Sequence, residues 1–337
     1  MVMTVELGDR FYDIVIERGA IEKVGSLFEL DRKVLVVTDD GIPSKYVKTV
    51  LGQCKNGYLL TLPQGDKNKN LANYEKIIAY LVEKEFSRSD AIIALGGGMV
   101  SDIAGFAASS YMLGIDFYII PTTLLSQVDA SIGGKVAINY KGIKNLVGAF
   151  YQPKKVVIDV DTLKTLDPRL FNEGLAEAIK MGATNSIALF ELIEGSKNIN
   201  SDIENVITMS LNIKKGIVEK DERESWLRQT LNYGHTVGHA VEYLAKGKLY
   251  HGECVAIGML YLTDPEPGER LKNVLTKYKL PVTDNYGVDE LIEVIKHDKK
   301  GNDGDITVCY VEELGKNKLK RLSLKELKDL MEEHKKL

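Results

Sequence analysis

The pattern that most restricts how this chain can fold is an alternation in its first half. Residues 34–39, 91–96, 117–121 and 156–160 are short apolar runs of the kind that form buried strands. Between the first two, residues 71–85 carry apolar side chains at 71, 74, 77, 78, 81 and 82, a helical period. Strands separated by helices imply a parallel sheet built from βαβ crossovers. Ligands of such sheets bind beyond the carboxyl ends of the strands. Residues 2–17 read as a strand pair.

After about residue 160 the strand signal fades. Asp167-Pro168 is a helix start, with an acidic N-cap and proline at the first helical position. Residues 168–180 and 201–220 read as helices. Asp264-Pro-Glu-Pro-Gly268 reads as a loop. Ser323-Leu-Lys-Glu326 is a capping box opening the last helix. The expected organisation is an α/β domain over 1–160 and a mainly α-helical domain over 161–337. A chain of 337 residues suits two domains.

Composition excludes several classes of function. With 44% apolar and 27% charged residues the chain is globular, and a net charge of −4 gives no nucleic-acid footprint and no basic membrane face. No apolar run reaches the roughly 18–20 residues that span a bilayer. Three scattered cysteines and no signal-peptide pattern point to a reducing, cytoplasmic setting.

Three of the five histidines, His235, His239 and His251, fall within residues 235–251. His235 and His239 are four apart in a helical segment, so both project from one face. Histidine is the commonest metal ligand and the side chain best suited to proton transfer near neutral pH. Thr236 follows the first histidine where a zincin would have glutamate. Spacing leaves the ligand set open between the three histidines and two histidines with Glu177 or Glu253.

Gly96-Gly97-Gly98 ends a strand and Asp102 follows in the next helix, a turn at which backbone amides can meet an anion. Downstream, Thr122, Thr123, Asp129 and a Gly-Gly-Lys135 turn precede Lys144 and Asn145. With Lys180, Lys214, Lys215 and Arg228, the set suits a phosphorylated, carboxylated small molecule beside a metal.

The stretches 121–135, 144–153, 174–180, 221–224, 228–239 and His251-Gly-Glu253 together resemble the dehydroquinate synthases of the sugar phosphate cyclase family. The resemblance implies a Rossmann-like parallel sheet followed by a helical metal-binding domain, in a homodimer holding NAD and a divalent metal, zinc first and cobalt second. It implies conversion of 3-deoxy-D-arabino-heptulosonate 7-phosphate to 3-dehydroquinate and phosphate, in the shikimate route to aromatic amino acids. The alternatives are another sugar phosphate cyclase and a metal- and NAD-dependent polyol dehydrogenase. By the same resemblance Glu177, His235 and His251 hold the metal and His239 moves protons. Asp129, Lys135, Lys144, Asn145, Lys180, Lys214, Arg228 and Asn232 line the substrate site, with Lys299 or Lys300 on the phosphate. NAD falls to Asp39, Asp66, Lys69, Gly96, Gly97, Gly98, Asp102, Thr122 and Thr123, with Lys135, Lys144, Thr162 and Thr165 nearby. The chain departs from the family pattern at Leu113, where arginine is usual, and at Gly41 and Ser101.

Overall fold

The computed structural model describes residues 1–298 and 305–335. The chain forms two compact units, 1–167 and 168–337. The division falls seven residues beyond 160 because the turn Val160–Thr165 packs with the first unit. Val160, Thr162 and Leu163 are buried there, and the Tyr46 and Thr165 hydroxyls are hydrogen-bonded at 3.1 Å.

The first unit is built on a seven-stranded sheet. Its strands are β1 (Val2–Leu7), β2 (Arg10–Ile16), β3 (Lys33–Asp39), β4 (Asn56–Leu62), β5 (Ala91–Gly96), β6 (Asp116–Pro121) and β9 (Lys155–Ile158), in the order β1-β2-β9-β6-β5-β3-β4. Only β1 and β2 pair antiparallel; every other pairing is parallel. Residues Val34–Val37 and Ala91–Leu95 are all buried, as parallel strands covered on both faces must be. The helices of this unit are α1 (Val24–Leu27), α2 (Ser44–Leu51), α3 (Leu71–Glu83) and α4 (Gly98–Ser110). Asn70 caps α3 by accepting from the Asn73 amide, and Ile77 and Leu81 form its buried stripe.

A separate hairpin of β7 (Lys135–Tyr140) and β8 (Ile143–Phe150) carries Lys144 and Asn145. Its bend takes Lys141, Gly142 and Asn145 to φ of 50°, 81° and 53°. No periodicity in the sequence marks this hairpin, because β8 is exposed along its whole length and so does not alternate.

The second unit contains α5 (Pro168–Asn185), α6 (Ile187–Gly195), α7 (Ile199–Val218), α8 (His235–Ala245), α9 (His251–Tyr261), α10 (Pro265–Lys277), α11 (Val288–Asp298) and α12 (Leu324–His334). A hairpin of β10 (Asp305–Glu313) and β11 (Lys316–Ser323) joins them. Two expectations need correcting here. Residues 264–268 are not a loop but the start of α10: proline at the first helical positions lacks only an N–H that the helix leaves unpaired. Strand structure does return after residue 160, as the β10–β11 hairpin. The capping box at Ser323 is present: its hydroxyl accepts from the Glu326 amide, and the Glu326 carboxylate accepts from the Ser323 amide. Among the described residues, no helix is long and apolar enough to cross a membrane.

Candidate functional site

In the second unit three helices bring the cluster together. α5 supplies Glu177 and Lys180, α8 supplies His235 and His239, and α9 begins at His251. Glycine makes their close approach possible. A Cβ on Gly258 of α9 would stand 2.0 Å from the Gly234 carbonyl before α8, and one on Gly252 would stand 2.1 Å from the Glu173 carbonyl of α5.

Glu177 is fully buried, and neither of its carboxylate oxygens has a hydrogen bond. Oε2 forms an ion pair with the buried Lys180 ammonium. Oε1 lies 3.8 Å from Nε2 of His235 and 3.8 Å from Nε2 of His251. The opposite nitrogens of both rings are engaged. Nδ1–H of His235 donates to the Tyr233 carbonyl at 3.1 Å, and that of His251 to the Glu242 carboxylate at 3.3 Å. Each ring is thereby held in the tautomer whose Nε2 lone pair faces Glu177. Burial, then the Lys180 charge, holds the pKa of His235 well below the usual histidine range, so it is neutral near pH 7.

This set fits a divalent ion. Ligands about 2.1 Å from a tetrahedral metal stand roughly 3.4 Å apart, close to the two 3.8 Å separations. A cation would also satisfy a buried oxygen that otherwise has no hydrogen bond. His239 is near: the ligand nitrogens of the three histidines lie within 4.8 Å of one another, but its side chain is exposed. Glu253, the other acid left open by spacing, is committed elsewhere. It accepts from Arg169 at 2.6 and 2.7 Å and from the Tyr250 amide at 2.8 Å. Glu173, one turn before Glu177, is a buried acid whose pKa burial pushes up to about 7.

The remaining cations of this unit sit on other elements. Lys214 is buried on α7, while Arg228 and Asn232 belong to the 3-10 turn Leu227–Asn232. Asp221 organises that turn. It accepts from the Ser225 amide and hydroxyl and from the amides of Trp226 and Arg228, all at 2.8–2.9 Å. These donors hold the Asp221 carboxyl below the usual carboxylate range despite an opposing effect of burial. Arg228 donates to the Glu222 carbonyl and Asn232 to Glu224. Lys299 and Lys300 lie outside the described residues.

In the first unit, Asp39 ends β3, Gly96 ends β5, and Thr122 follows β6, so all three stand at carboxyl ends of parallel strands. Gly97 is the N-cap of α4 and offers no side chain to its amides. A Cβ there would come within 3.0 Å of the Thr123 side chain. Thr122 has a buried hydroxyl without a hydrogen bond. Bare amides and open backbone at a helix start suit a phosphate group. Burial raises the Asp39 pKa, opposed by a 2.9 Å bond from the Gly41 amide.

Lys69 is buried and donates to Asp102 at 2.8 Å and to Asn145 at 2.5 Å. Asn139 donates to Asp66 at 2.9 Å and accepts from the Asn145 amide at 3.0 Å, and Lys144 pairs with Asp66 at 3.4 Å. Candidates assigned separately to cofactor and substrate thus share one network. Thr162 spends its hydroxyl on the Asp159 carbonyl and on Gln127, and Thr165 bonds the Thr162 carbonyl. Asp129 lies in the short helical turn Ser126–Ala130, and Lys135 is exposed at the start of β7. Leu113 is 91% exposed at φ 69°.

Sequence reasoning missed Asn139, Arg169 and Glu242. Glu242 was findable: it lies seven residues after His235, two turns along the same helix face. Asn139 and Arg169 carried no local signal.

Comparison with known proteins agrees with this architecture. The family model described as 3-dehydroquinate synthase N-terminal matches residues 59–173, and that described as 3-dehydroquinate synthase C-terminal matches 174–301. A 3-dehydroquinate synthase of Enterococcus faecalis is 40% identical, with 97% of this chain and 98% of the relative covered. One from Clostridium acetobutylicum is 40% identical over 96% and 97%. Among solved structures, a 2-deoxy-scyllo-inosose synthase complexed with carbaglucose-6-phosphate, NAD+ and Co2+ has a TM-score of 0.89 at 24% identity, with 99% of both chains covered. A 2-epi-5-epi-valiolone synthase from Streptomyces hygroscopicus, with NAD+ and Zn2+ bound, reaches 0.88 at 23% over 98% of both. A glycerol dehydrogenase from Schizosaccharomyces pombe reaches 0.66 at 18%, over 96% of this chain and 88% of that one. At these identities the solved structures speak to the fold alone. The curated relatives and the two family models go further: the chain belongs to the 3-dehydroquinate synthase family.

Proposed function

We propose that this chain converts 3-deoxy-D-arabino-heptulosonate 7-phosphate into 3-dehydroquinate and phosphate, using NAD and a divalent metal, and that it works as a homodimer. The observation that carries the metal half is the convergence of two Nε2 lone pairs on the orphaned Oε1 of Glu177. Glu177, His235 and His251 are the proposed ligands, with zinc or cobalt as the ion. When bound, the ion polarises hydroxyl and carbonyl oxygens, and NAD takes up and returns a hydride.

The chain's own residues do the rest. His235 and His251 keep their Nε2 atoms unprotonated because Nδ1–H is bonded away. Lys180 balances the Glu177 charge in a buried setting where a lone carboxylate would be costly. His239, close to the cluster yet exposed, exchanges protons with the substrate. In the first unit Gly96–Gly98 and the start of α4 hold the pyrophosphate of NAD, with Asp39, Asp66, Lys69, Asp102, Thr122 and Thr123. Lys135, Lys144, Asn145 and Asp129 in the first unit, and Lys214, Arg228 and Asn232 in the second, supply cations and hydrogen bonds for an anionic substrate.

The test is catalytic. Purified protein with NAD and Zn2+ or Co2+ should release phosphate from the heptulosonate phosphate without net accumulation of NADH. No release from a folded, metal-loaded sample overturns the proposal. Steady NADH formation with glycerol would favour the polyol dehydrogenase reading instead.

A further inference from the structure

Three residues of α5, each one turn from the next, meet the opening of α9 in order. Arg169 grips Glu253 through two charge-assisted bonds of 2.6 and 2.7 Å. The same guanidinium donates to the Lys248 carbonyl at 2.8 Å and stacks 4.3 Å from the Tyr250 ring. Glu173 packs against Gly252 so closely that a Cβ on that glycine would stand 2.1 Å from the Glu173 carbonyl and 2.9 Å from its Cγ. Glu177 faces His251. Positions 169, 173 and 177 thus align with 253, 252 and 251.

Residues four apart share one face of a helix, so this stripe fixes α9 in both rotation and translation relative to α5. A slip along either helix would break the fork to Glu253 and change the separation of His251 from Glu177 together. The fork has the planar, two-point geometry that only guanidinium supplies to a carboxylate. Glu253 also accepts from the Tyr250 amide at 2.8 Å, so the carboxylate that receives Arg169 closes the first turn of α9 as well. Arg169 touches the loop before His251, the residue next to it and the turn after it.

We infer that Arg169, acting through Glu253 with Glu173 and Gly252 beneath it, is a positioning residue that sets the distance between His251 and Glu177 and so governs how tightly the site holds its ion. The inference rests on the proposed metal reading. It assigns Glu253 to positioning rather than ligation.

Full-length protein stripped of metal is titrated with Co2+ alone and followed by the visible absorption of the bound ion. Arg169→Gln and Glu253→Gln should each weaken Co2+ binding by about 10- to 100-fold and alter the absorption band. The double variant should be no weaker than the worse single variant, because both changes remove one interaction. Arg169→Lys, which keeps the charge and loses the fork, should fall between wild type and Arg169→Gln, and it serves if Arg169→Gln does not fold. Wild-type affinity and spectrum in folded Arg169→Gln, or in folded Arg169→Lys should that variant alone be soluble, overturn the inference. So do effects that multiply in the double variant. If wild-type protein takes up no Co2+, the metal reading falls and the inference with it. If wild type binds and the variants bind equally well, the metal reading stands and only the positioning role falls.

Discussion

Oε1 of Glu177 stands 3.8 Å from Nε2 of His251, buried and without a hydrogen bond, although 74 residues of chain separate the two (251 − 177). A carboxylate in that condition is stabilised by an added cation and destabilised without one. Removing a ligand should therefore act on the metal first. His251→Ala should lower metal affinity by more than 100-fold, judged against the smaller losses typical of outer residues. His239→Ala should keep the metal and lose turnover by about 10²–10⁴-fold, the range for a lost proton-transfer group. Metal content and phosphate release, measured on the same samples, separate the two. Full metal occupancy in His251→Ala would refute the ligand set.

Asp221 accepts from three backbone amides and one hydroxyl, and its carboxyl is held below the usual range. Asp221→Ala should cost about 2 kcal/mol, on the scale of a buried acceptor removed from its donors. The sign of the pH dependence follows from the depressed value. The contribution is complete above the unfolded carboxylate pKa of about 4 and is lost as pH falls through the lower folded value. Urea unfolding of wild type and variant should differ most above about pH 5 and converge on acidification. A gap that widens towards low pH would contradict this account.

Lys69 joins Asp102 and Asn145 from a buried position. Lys69→Met removes the buried ammonium shared by Asp102 and Asn145 and should cost about 1–3 kcal/mol, the scale of acceptors that lose a charged donor. Lys69→Met with Asp102→Asn should cost less than the sum of the two single changes, because both act on the same ion pair. Additive losses in denaturant titrations would mean that the pair contributes no coupling.

Leu113, where the resemblance leads one to expect arginine, has its side chain in solvent. Leu113→Arg should leave stability within about 0.5 kcal/mol, since exposed substitutions rarely cost more. Its effect belongs to the substrate: one added charge-assisted bond of about 1–3 kcal/mol lowers KM roughly 5- to 150-fold. An unchanged KM would show that other cations already serve the anion.

The alternation of apolar runs was enough to give the α/β sheet, because strands buried on both faces must be apolar throughout, as Val34–Val37 and Ala91–Leu95 are. Histidine crowding at 235–251 located the cluster for a similar reason: helical spacing acts over a few residues and can be read locally. The β7–β8 hairpin left no such trace, since β8 is exposed throughout. Residues 264–268 misled because proline is judged differently inside a helix and at its first turn.

The features legible along the chain are therefore local: strands, helix faces, caps and the histidine pair on α8. Three-dimensional packing decided the partners. It set Glu177 rather than Glu253 against the histidines by giving Glu253 to Arg169 and the Tyr250 amide. It joined Asn145, expected at the substrate, to Lys69, which with Asp66 and Asp102 was expected at the cofactor. The physical reason is that a carboxylate's role depends on which donor or cation reaches it. Helix register and glycine contacts such as Gly252 on Glu173 set that reach, and neither has a period along the chain.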